Sequence, residues 1–521
     1  MQWSKGELFR ITGLYLLIIP FLNALNATGY VNPQIQGHFG ASGTEFMYMN
    51  LIPVFTLFAG LPLALELTKQ FPLRSLMLTI VIIALGLNTC SAFSTNIWWY
   101  TFFRSTLAFV TIFGIVGAIA PIAMRYNPKF NMAIMYGIIQ FIIQGSSHLY
   151  KFMGAHFAQI ADWRTSLLLL NMNFFLCILL TWIFLKKDVA PFKKPFSFDF
   201  RGWIILVIFL GVILFLAAEG QNREWFSDTK IQMACASLLI IVGIYILHTR
   251  YATAPLIDFK VYRYKNVVLG TLFFFFIGIL NNTGSVIMGF MSGLLGFSDL
   301  YLASTHLFTL IGLIISIPLC TYLLFHRVYL RISAIAGFLS FTIYHLLMYF
   351  RFYPGIAETD FILPLIFKGM GIGFLFVLSS LYISENIPKE LSTSRMMSGI
   401  LARNVFAMLL GASVLNTYVA KLTVQHKTGI SQQMTEMNKS AATQYHNTEN
   451  YYKAQGLSSV EAKKMADKSL RREMSSPSTL LAYKDIYLVM TFVSFIPILI
   501  ILLLGIGRRP VQSIQVDPIP I

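Results

Sequence analysis

Charge is what this chain has least of. Only 12% of its 521 residues are Asp, Glu, Lys or Arg, and 22 of these are acidic against 39 basic. A soluble globular chain carries about 25% charged residues, so the shortage excludes that class before any motif is read. Cysteine is scarce too. Cys90, Cys177, Cys235 and Cys320 all lie in apolar runs at no metal-ligand spacing, and serve as small buried hydrophobes. No phosphate-cradling loop with its lysine is present, no zinc-type spacing and no nucleophile triad. Gly369, Gly371 and Gly373 form a Gly-x-Gly-x-Gly, but it follows no strand and sits in an apolar span, so close helix packing or a hinge accounts for it. Nothing supports nucleotide-driven work or enzymatic chemistry, and no metal or cofactor is expected. The net charge of +17 is not gathered into a nucleic-acid patch.

What the chain has is apolar length: 56% of its residues are hydrophobic. About 20 apolar residues cross a bilayer core. That ruler gives an all-α integral membrane protein with about fourteen spans, near 11–30, 46–67, 74–94, 98–121, 132–158, 164–185, 202–219, 231–249, 266–290, 301–324, 331–350, 361–384, 397–419 and 485–506. The N-terminus shows no cleavable leader pattern, so its apolar stretch counts as the first span. The loops test the count. Alternate loops, from the N-terminus on, hold Lys5 and Arg10, then Lys69 and Arg74, Arg125 and Lys129, and a cluster from Lys186 to Arg201. Arg250 to Lys265, Arg327 and Arg331, Lys389 and Arg395, and Arg508 and Arg509 continue the series. The opposite short loops hold only Arg164, Arg223, Lys230 and Arg351. This bias places both termini in the cytoplasm and requires an even number of spans. The long segment 420–484 then falls outside. Ser458 and Glu461 make a capping box there, opening a charged helical stretch to about Met474, and a helical hairpin or a solvated loop both fit. The tail with Pro510, Pro518 and Pro520 reads as disordered.

Four lone cations stand out inside the spans: Arg104, Lys151, Lys368 and Arg403. Each costs roughly 2.5–3.5 kcal/mol at the middle of a membrane helix, and no carboxylate shares the middle of their segments. Such residues mark a protein-lined path. By parity Arg104, Lys151 and Lys368 lie at one depth, about six or seven residues from the outer end, roughly 9 Å at 1.5 Å per residue.

Several local patterns occur in a fixed order. Phe102-Phe103-Arg104 opens the fourth span, and Asp162-Trp163-Arg164 the sixth. Gly220 precedes Glu224-Trp225-Phe226-Ser227, and Pro255-Leu256-Ile257-Asp258-Phe259 leads to Asn266 at the ninth span. Together these resemble the fourteen-helix drug:proton antiporter branch of the major facilitator superfamily, the EmrB/QacA-like exporters, over nearly the whole chain. The resemblance implies a major facilitator fold of two six-helix halves plus two inserted helices, divided as 1–185, 186–265 and 266–509, with 510–521 a cytoplasmic tail. It implies secondary active efflux of small amphipathic or drug-like molecules by alternating access, coupled to protons, from the inner (plasma) membrane. In a cell with two membranes it implies a periplasmic adaptor and an outer-membrane channel as partners, besides membrane lipid and the small-molecule substrate.

The departures narrow this. Where the family ends its fifth helix with Gly-Pro and Gly-Gly pairs, this chain has Tyr150-Lys151 and then Gly154-Ala155. The loop motif after the second helix survives only as residues 67–72 with Arg74, Ala108 stands where a glycine is usual, and Asn23 or Asn26 replaces the acid of the first helix. In the thirteenth span the family's Asn and Arg appear as Asn404 beside a displaced Arg403. The family's usual proton-carrying acid is therefore not carried over. The candidate substrate site is Arg104, Lys368 and Lys151 with the amides Asn26, Gln140, Gln144 and Asn281. Fold symmetry pairs Arg104 with Lys368 and Lys151 with Arg403. Candidates for proton coupling are His148, one turn from Lys151, with Glu66 and Glu219 at helix ends. Arg403, Asn404 and the glycines 369, 371 and 373 are gating or structural candidates. The alternatives are a transporter of a specific organic anion held by the cations, and a non-transporting membrane sensor.

Overall fold

The computed structural model describes residues 5–126, 132–185, 198–326, 330–353, 355–385, 387–407, 409–433, 439–455 and 458–503. They form a helical bundle. Its first helices are α1 (Lys5–Leu22), α2 (Asn32–Phe39), α3 (Gly43–Leu67), α4 (Leu73–Ala92), α5 (Ile97–Tyr126), α6 (Met132–Ile160) and α7 (Trp163–Phe184). Then come α8 (Phe200–Glu219) and α9 (Thr229–Tyr251). The rest are α10 (Lys265–Asn282), α11 (Gly284–Met288), α12 (Asp299–His306), α13 (Phe308–Phe325), α14 (Leu330–Arg351), α15 (Thr359–Tyr382), α16 (Ser392–Ile400), α17 (Leu415–Gln433), α18 (Lys439–Ala454) and α19 (Ser459–Leu503).

Among the described residues, twelve stretches are long and apolar enough to cross a membrane. The first and fifth of the fourteen expected spans are helices outside that set. The first offers an apolar helix only over Thr12–Leu22. The fifth, α6, is 29 residues long but carries Gln140, Gln144, His148 and Lys151, which lower its hydropathy. The 510–521 tail and the cations of 186–194 lie outside the described residues.

Four expected spans are broken, each for a local reason. The first ends at Leu22 rather than near residue 30. There the Asn23 amide donates to the Ile19 carbonyl (2.9 Å) and Asn26 to that of Leu22 (3.2 Å), and short turns run on to Val31. The ninth breaks at Thr283, whose hydroxyl donates to the Leu280 carbonyl (2.8 Å). The tenth breaks at Leu307, between α12 and α13. The thirteenth passes from α16 through π-helical turns at Leu401–Phe406 and Leu409–Val414 into α17. At the other extreme, the expected outer helix and the last span are one helix, α19. No glycine interrupts residues 459–503, so nothing supplies the left-handed stop that would separate them.

Two large apolar cores hold the bundle. One joins α1, α3, α4, α5, α7 and α8, the other α10 to α15 with α19. Met132 and Tyr136 on α6 pack against both. The same helix is pinned across the divide where Tyr136 shares a hydrogen bond with Ser384 (2.7 Å) and Gln140 donates to Ser380 (3.0 Å). Towards the opposite end, Gln34 on α2 donates to Asp299 at the start of α12 (2.7 Å). Both α17 and α18 pack on α19, so the described parts of 420–484 are helical and α18 forms a hairpin with the start of α19.

The hairpin carries a pH-sensitive cap. Glu461 accepts from the Ser458 hydroxyl (2.7 Å) and backbone amide (3.2 Å), and the Ser458 oxygen accepts from the Glu461 amide (3.3 Å). The Ser458 hydroxyl and amide hold the Glu461 carboxyl below its ordinary value of 4.5. A carboxylate lowered by folding contributes order that is present above its ordinary value and lost as pH falls through the lowered one. The first-turn amides of α19 are therefore expected to lose protection, measured against their intrinsic exchange rate, as pH falls below the ordinary glutamate range. Hydrogen-exchange mass spectrometry checks this, with Ser458→Ala giving the same fraying at neutral pH.

Candidate functional site

The middle of the bundle gathers side chains from four segments. On α6, His148 and Lys151 sit one turn apart. On α15, Lys368 is 6% exposed, and on the last residue of α12 His306 is 5% exposed. The two lysines and the two histidines lie within electrostatic range of one another. The fourth segment is the turn between α1 and α2. Its Tyr30 ring lies 5.6 Å from that of His306, and a Cβ on its Gly29 would meet Lys151 Cγ at 3.0 Å. Lys368 reaches the α10–α11 break, where a Cβ on Gly284 would come 2.9 Å from Nζ. That ammonium also stands 5.6 Å from the Tyr344 ring, a cation–π distance.

The electrostatics are one-sided. Among the described residues neither Lys151 nor Lys368 makes an ion pair. His148 Nδ1 and His306 Nε2 are buried without a hydrogen-bond partner. A buried charge is normally paired, and here the described residues supply two ammonium groups and two imidazoles with no ion pair to them. The chemistry this arrangement offers is capture of an anion.

Behind Lys368 lies a fully buried polar network. Tyr344 and Tyr487 share a hydrogen bond (3.1 Å), and Tyr487 donates to the Thr283 carbonyl (2.9 Å) at the helix break. His345 Nδ1 donates to the Phe341 carbonyl (2.7 Å), and its Nε2 lies 3.2 Å from the Thr283 hydroxyl. Lys368 is thereby linked to α14, to the last span and to the α10–α11 joint.

The other candidates are dispersed. Arg104 is buried on α5 and donates to Asn88 (3.4 Å), whose amide donates to the Leu167 carbonyl (2.7 Å) and to Asn171 (2.8 Å). It lies in the contact of α4, α5 and α7, away from the lysines. Asn26 bonds within its own turn, to Leu22 and Asn23 (3.2 Å), while Asn23 reaches Ser146 on α6 (2.8 Å). The Gln140 amide nitrogen is used by Ser380, leaving its Oε1 buried without a partner. Gln144 is half-buried on α6, and Asn281 is exposed. Glu66 is paired with Lys69 (2.6 Å) and Glu219 with Arg223 (3.0 Å), both at helix ends away from the lysines. The Arg403 guanidinium lies 5.0 Å from the Phe376 ring and 5.9 Å from that of Phe274, and donates to Asn404 (3.1 Å). Gly369 and Gly373 abut α13 at Thr309 and Ser316, and Gly371 abuts Phe341 of α14.

The sequence reasoning passed over His306, Tyr30, Tyr344, His345 and Tyr487. The histidines had a signal: an ionisable side chain inside a span is a site candidate wherever it falls. The tyrosines had none, because an aromatic in an apolar run looks the same against lipid as against an ammonium.

Comparison with known proteins gives one consistent answer. Residues 14–414 match the family described as the Major Facilitator Superfamily. The chain is 26% identical over 261 residues to the colistin resistance protein EmrB of Acinetobacter baumannii, covering 48% of this chain and 49% of that protein. This match spans about half of that relative's length. It is 20% identical over 389 residues to the probable multidrug resistance protein EmrY of Escherichia coli, covering 72% and 73%. Among solved structures, a POT family transporter in complex with 5-aminolevulinic acid superposes with a TM-score of 0.60 at 14% identity, over 94% of this chain and 95% of that one. The proton:xylose symporter XylE superposes with a TM-score of 0.54 at 12% identity, over 95% and 97%.

Proposed function

The chain belongs to the Major Facilitator Superfamily, and from that premise we propose that this multi-pass membrane transporter is a secondary active exporter of small amphipathic molecules bearing an acidic group. One observation carries the substrate class: Lys151 on α6, the helix that packs on both cores, and Lys368 on α15 are buried within electrostatic range of each other, and among the described residues neither is paired with a carboxylate. A substrate anion supplies the missing counter-charge, and its apolar part meets the aromatic wall formed by Tyr30 and Tyr344. Alternating access is supported by the placement. Residues from both cores hold one ligand, so rocking one core against the other about that ligand opens the site to either side in turn.

Export as the direction is supported by the likeness to EmrB and EmrY, both named for resistance. The same likeness supports a location in the inner membrane, with an adaptor and an outer channel as partners. The charge bias of the loops supports cytoplasmic termini. Proton coupling falls to the titratable groups of the site itself, His148 among them, because Glu66 and Glu219 are engaged elsewhere. The division into 1–185, 186–265 and 266–509 is supported by the two cores and by α9, which buries only Ile231.

The test is accumulation of acidic and of cationic amphipaths in an efflux-deficient host, with the unaltered chain beside Lys151→Met and with a protonophore. The expected result is lower accumulation of the acidic compounds, abolished by either treatment. Undiminished export of acids by Lys151→Met would sink the cationic site, and indifference to the protonophore would sink proton coupling.

A further inference from the structure

We propose that the cavity between α8, α9 and the π turn at Leu401–Phe406 holds an acyl chain of an anionic phospholipid from the cytoplasmic leaflet, whose headgroup sits among the cations at its mouth. This lipid site is separate from the transport site: none of the residues lining the cavity belongs to the lysine cluster.

The cavity has a volume of about 700 Å³. Ile205 and Phe209 of α8 form one wall, Ile241 and Val242 of α9 another, and Leu401 and Phe406 of the π turn a third. Two tyrosines also line it, and both hydroxyls are already used. Tyr245 accepts from the Ile257 amide (2.8 Å) and donates to the Ile257 carbonyl (3.3 Å), while Tyr262 donates to Ser398 (2.9 Å). A pocket for a polar ligand keeps a few polar groups to orient it. These walls keep no side-chain polar group free, which suits a hydrocarbon chain. Val242, Phe259 and Phe406 at its edge are each 41% exposed, so the cavity opens to the membrane. Its α9 side has little protein behind it, since that helix buries only Ile231.

The mouth selects the headgroup. Asp199, which caps α8, lies 2.8 Å from His248 Nε2 near the end of α9. That contact brings Arg201 and Arg250, each two residues away, to one rim. The Phe259 ring lies 6.0 Å from that of Tyr245, so the turn 259–263 adds Lys260 and Arg263 to the same rim. All four cations are exposed. Among the described residues only Lys260 has a carboxylate within reach, Asp258 at 3.8 Å. Asp199 does not neutralise the others, being spent on His248 and on the Gly202 and Leu256 amides. The loop charges assign this end of the bundle to the cytoplasm, and tyrosines such as Tyr245 and Tyr262 favour the headgroup level. The cytoplasmic leaflet is the anionic one, and basic pockets between helices at that level suit its headgroups. Apolar walls below and unpaired cations above match the two ends of one such lipid.

The full chain is placed in phosphatidylcholine nanodiscs containing a trace of phosphatidylglycerol with a photoactivatable group on one acyl chain, irradiated, and mapped by peptide mass spectrometry. Phosphatidylcholine carrying the same group is the neutral control. The expected result is phosphatidylglycerol label concentrated on the peptides of Phe209, Val242 and Phe406, at least roughly fivefold above the control, the factor that one cation near an anionic lipid contributes. Arg250→Gln with Arg263→Gln is expected to bring the two lipids level. Both side chains are exposed and unpaired, so the double variant should stay monodisperse with its thermal midpoint in phosphatidylcholine unchanged. Equal labelling by the two lipids in the unaltered chain overturns the proposal, and this measurement needs no variant. So does phosphatidylglycerol label spread over the outer faces of the bundle, or a preference that survives in the double variant. Loss of the label when naphthalene-2-sulfonate is added would make the cavity a place for transported acids and would overturn it as well. Acid export that fails in cells while the label maps as expected removes the transport reading alone.

Discussion

Replacing Lys368 with methionine is expected to reduce export of acidic amphipaths by roughly 30-fold or more and, in the same protein, to raise its thermal midpoint. The two effects have one cause. The ammonium is buried on α15, makes no ion pair among the described residues, and on the proposed function is paired by the substrate. Truncating one partner of a buried charge pair costs about 2–5 kcal/mol of binding, which sets the size of the functional loss. Without substrate the charge is a burden. A lysine at the centre of a membrane helix costs roughly 2.5–3.5 kcal/mol, and methionine keeps the length of the stem, and with it the packing near Tyr344 and Gly284, without that charge. Stability gained where activity is lost is the signature of a site held in a strained electrostatic state. Accumulation assays and fluorescence-monitored unfolding of the same preparation read both signs. A lowered midpoint with acid export intact would mean that Lys368 serves packing and not the substrate.

Gly369→Ala is expected to do the opposite, destabilising the bundle by about 1–3 kcal/mol or more, as overpacking does. A Cβ there would run into the Thr309 carbonyl of α13 and meet the Gly312 Cα at 3.0 Å. Gly312 faces α15 as closely, with the Met370 amide nitrogen 2.7 Å from its own added Cβ. Backbone meets backbone on both sides, so no side chain can move aside, and α13 and α15 would have to separate. The adjoining Lys368 would shift with α15, so transport should fall with stability. Gly211 on α8 is the control: nothing lies within 4 Å of an added Cβ, and Gly211→Ala is expected to change the midpoint little. The yield of monodisperse protein and its thermal midpoint separate the two. Equal behaviour of the variants would show that the α13–α15 contact yields easily.

The membrane class and most spans were legible in the sequence because they rest on sums over twenty residues, which single side chains barely move. The cations were legible one by one, since each violates the apolar rule where it stands. Their grouping was not. Depth and symmetry set Arg104 beside Lys368, yet which way a side chain points around its helix depends on rotation, and Arg104 is turned towards Asn88 on α4 while Lys151 lies against Gly29 in the turn between α1 and α2. The helix breaks were half legible. Asn23, Asn26 and Thr283 are residues whose side chains compete with the helical ladder, but only the observed bonds to Ile19, Leu22 and Leu280 show that they win. The continuity of α19 was hidden for the reverse reason. A change from charged to apolar composition looks like a boundary, although the backbone needs no interruption there.

That continuity gives α19 a reach well beyond one span. Forty-five residues at 1.5 Å each make a rod of roughly 67 Å, more than twice the thickness of a bilayer core. Tyr487, which bonds Tyr344 beneath Lys368, lies about 42 Å along the axis from Ser459 on the same rise. A straight rod tilted by about 5° at the buried end would sweep its tip through roughly 4 Å, and Pro477, between the two, removes a ladder bond at which the helix can bend instead.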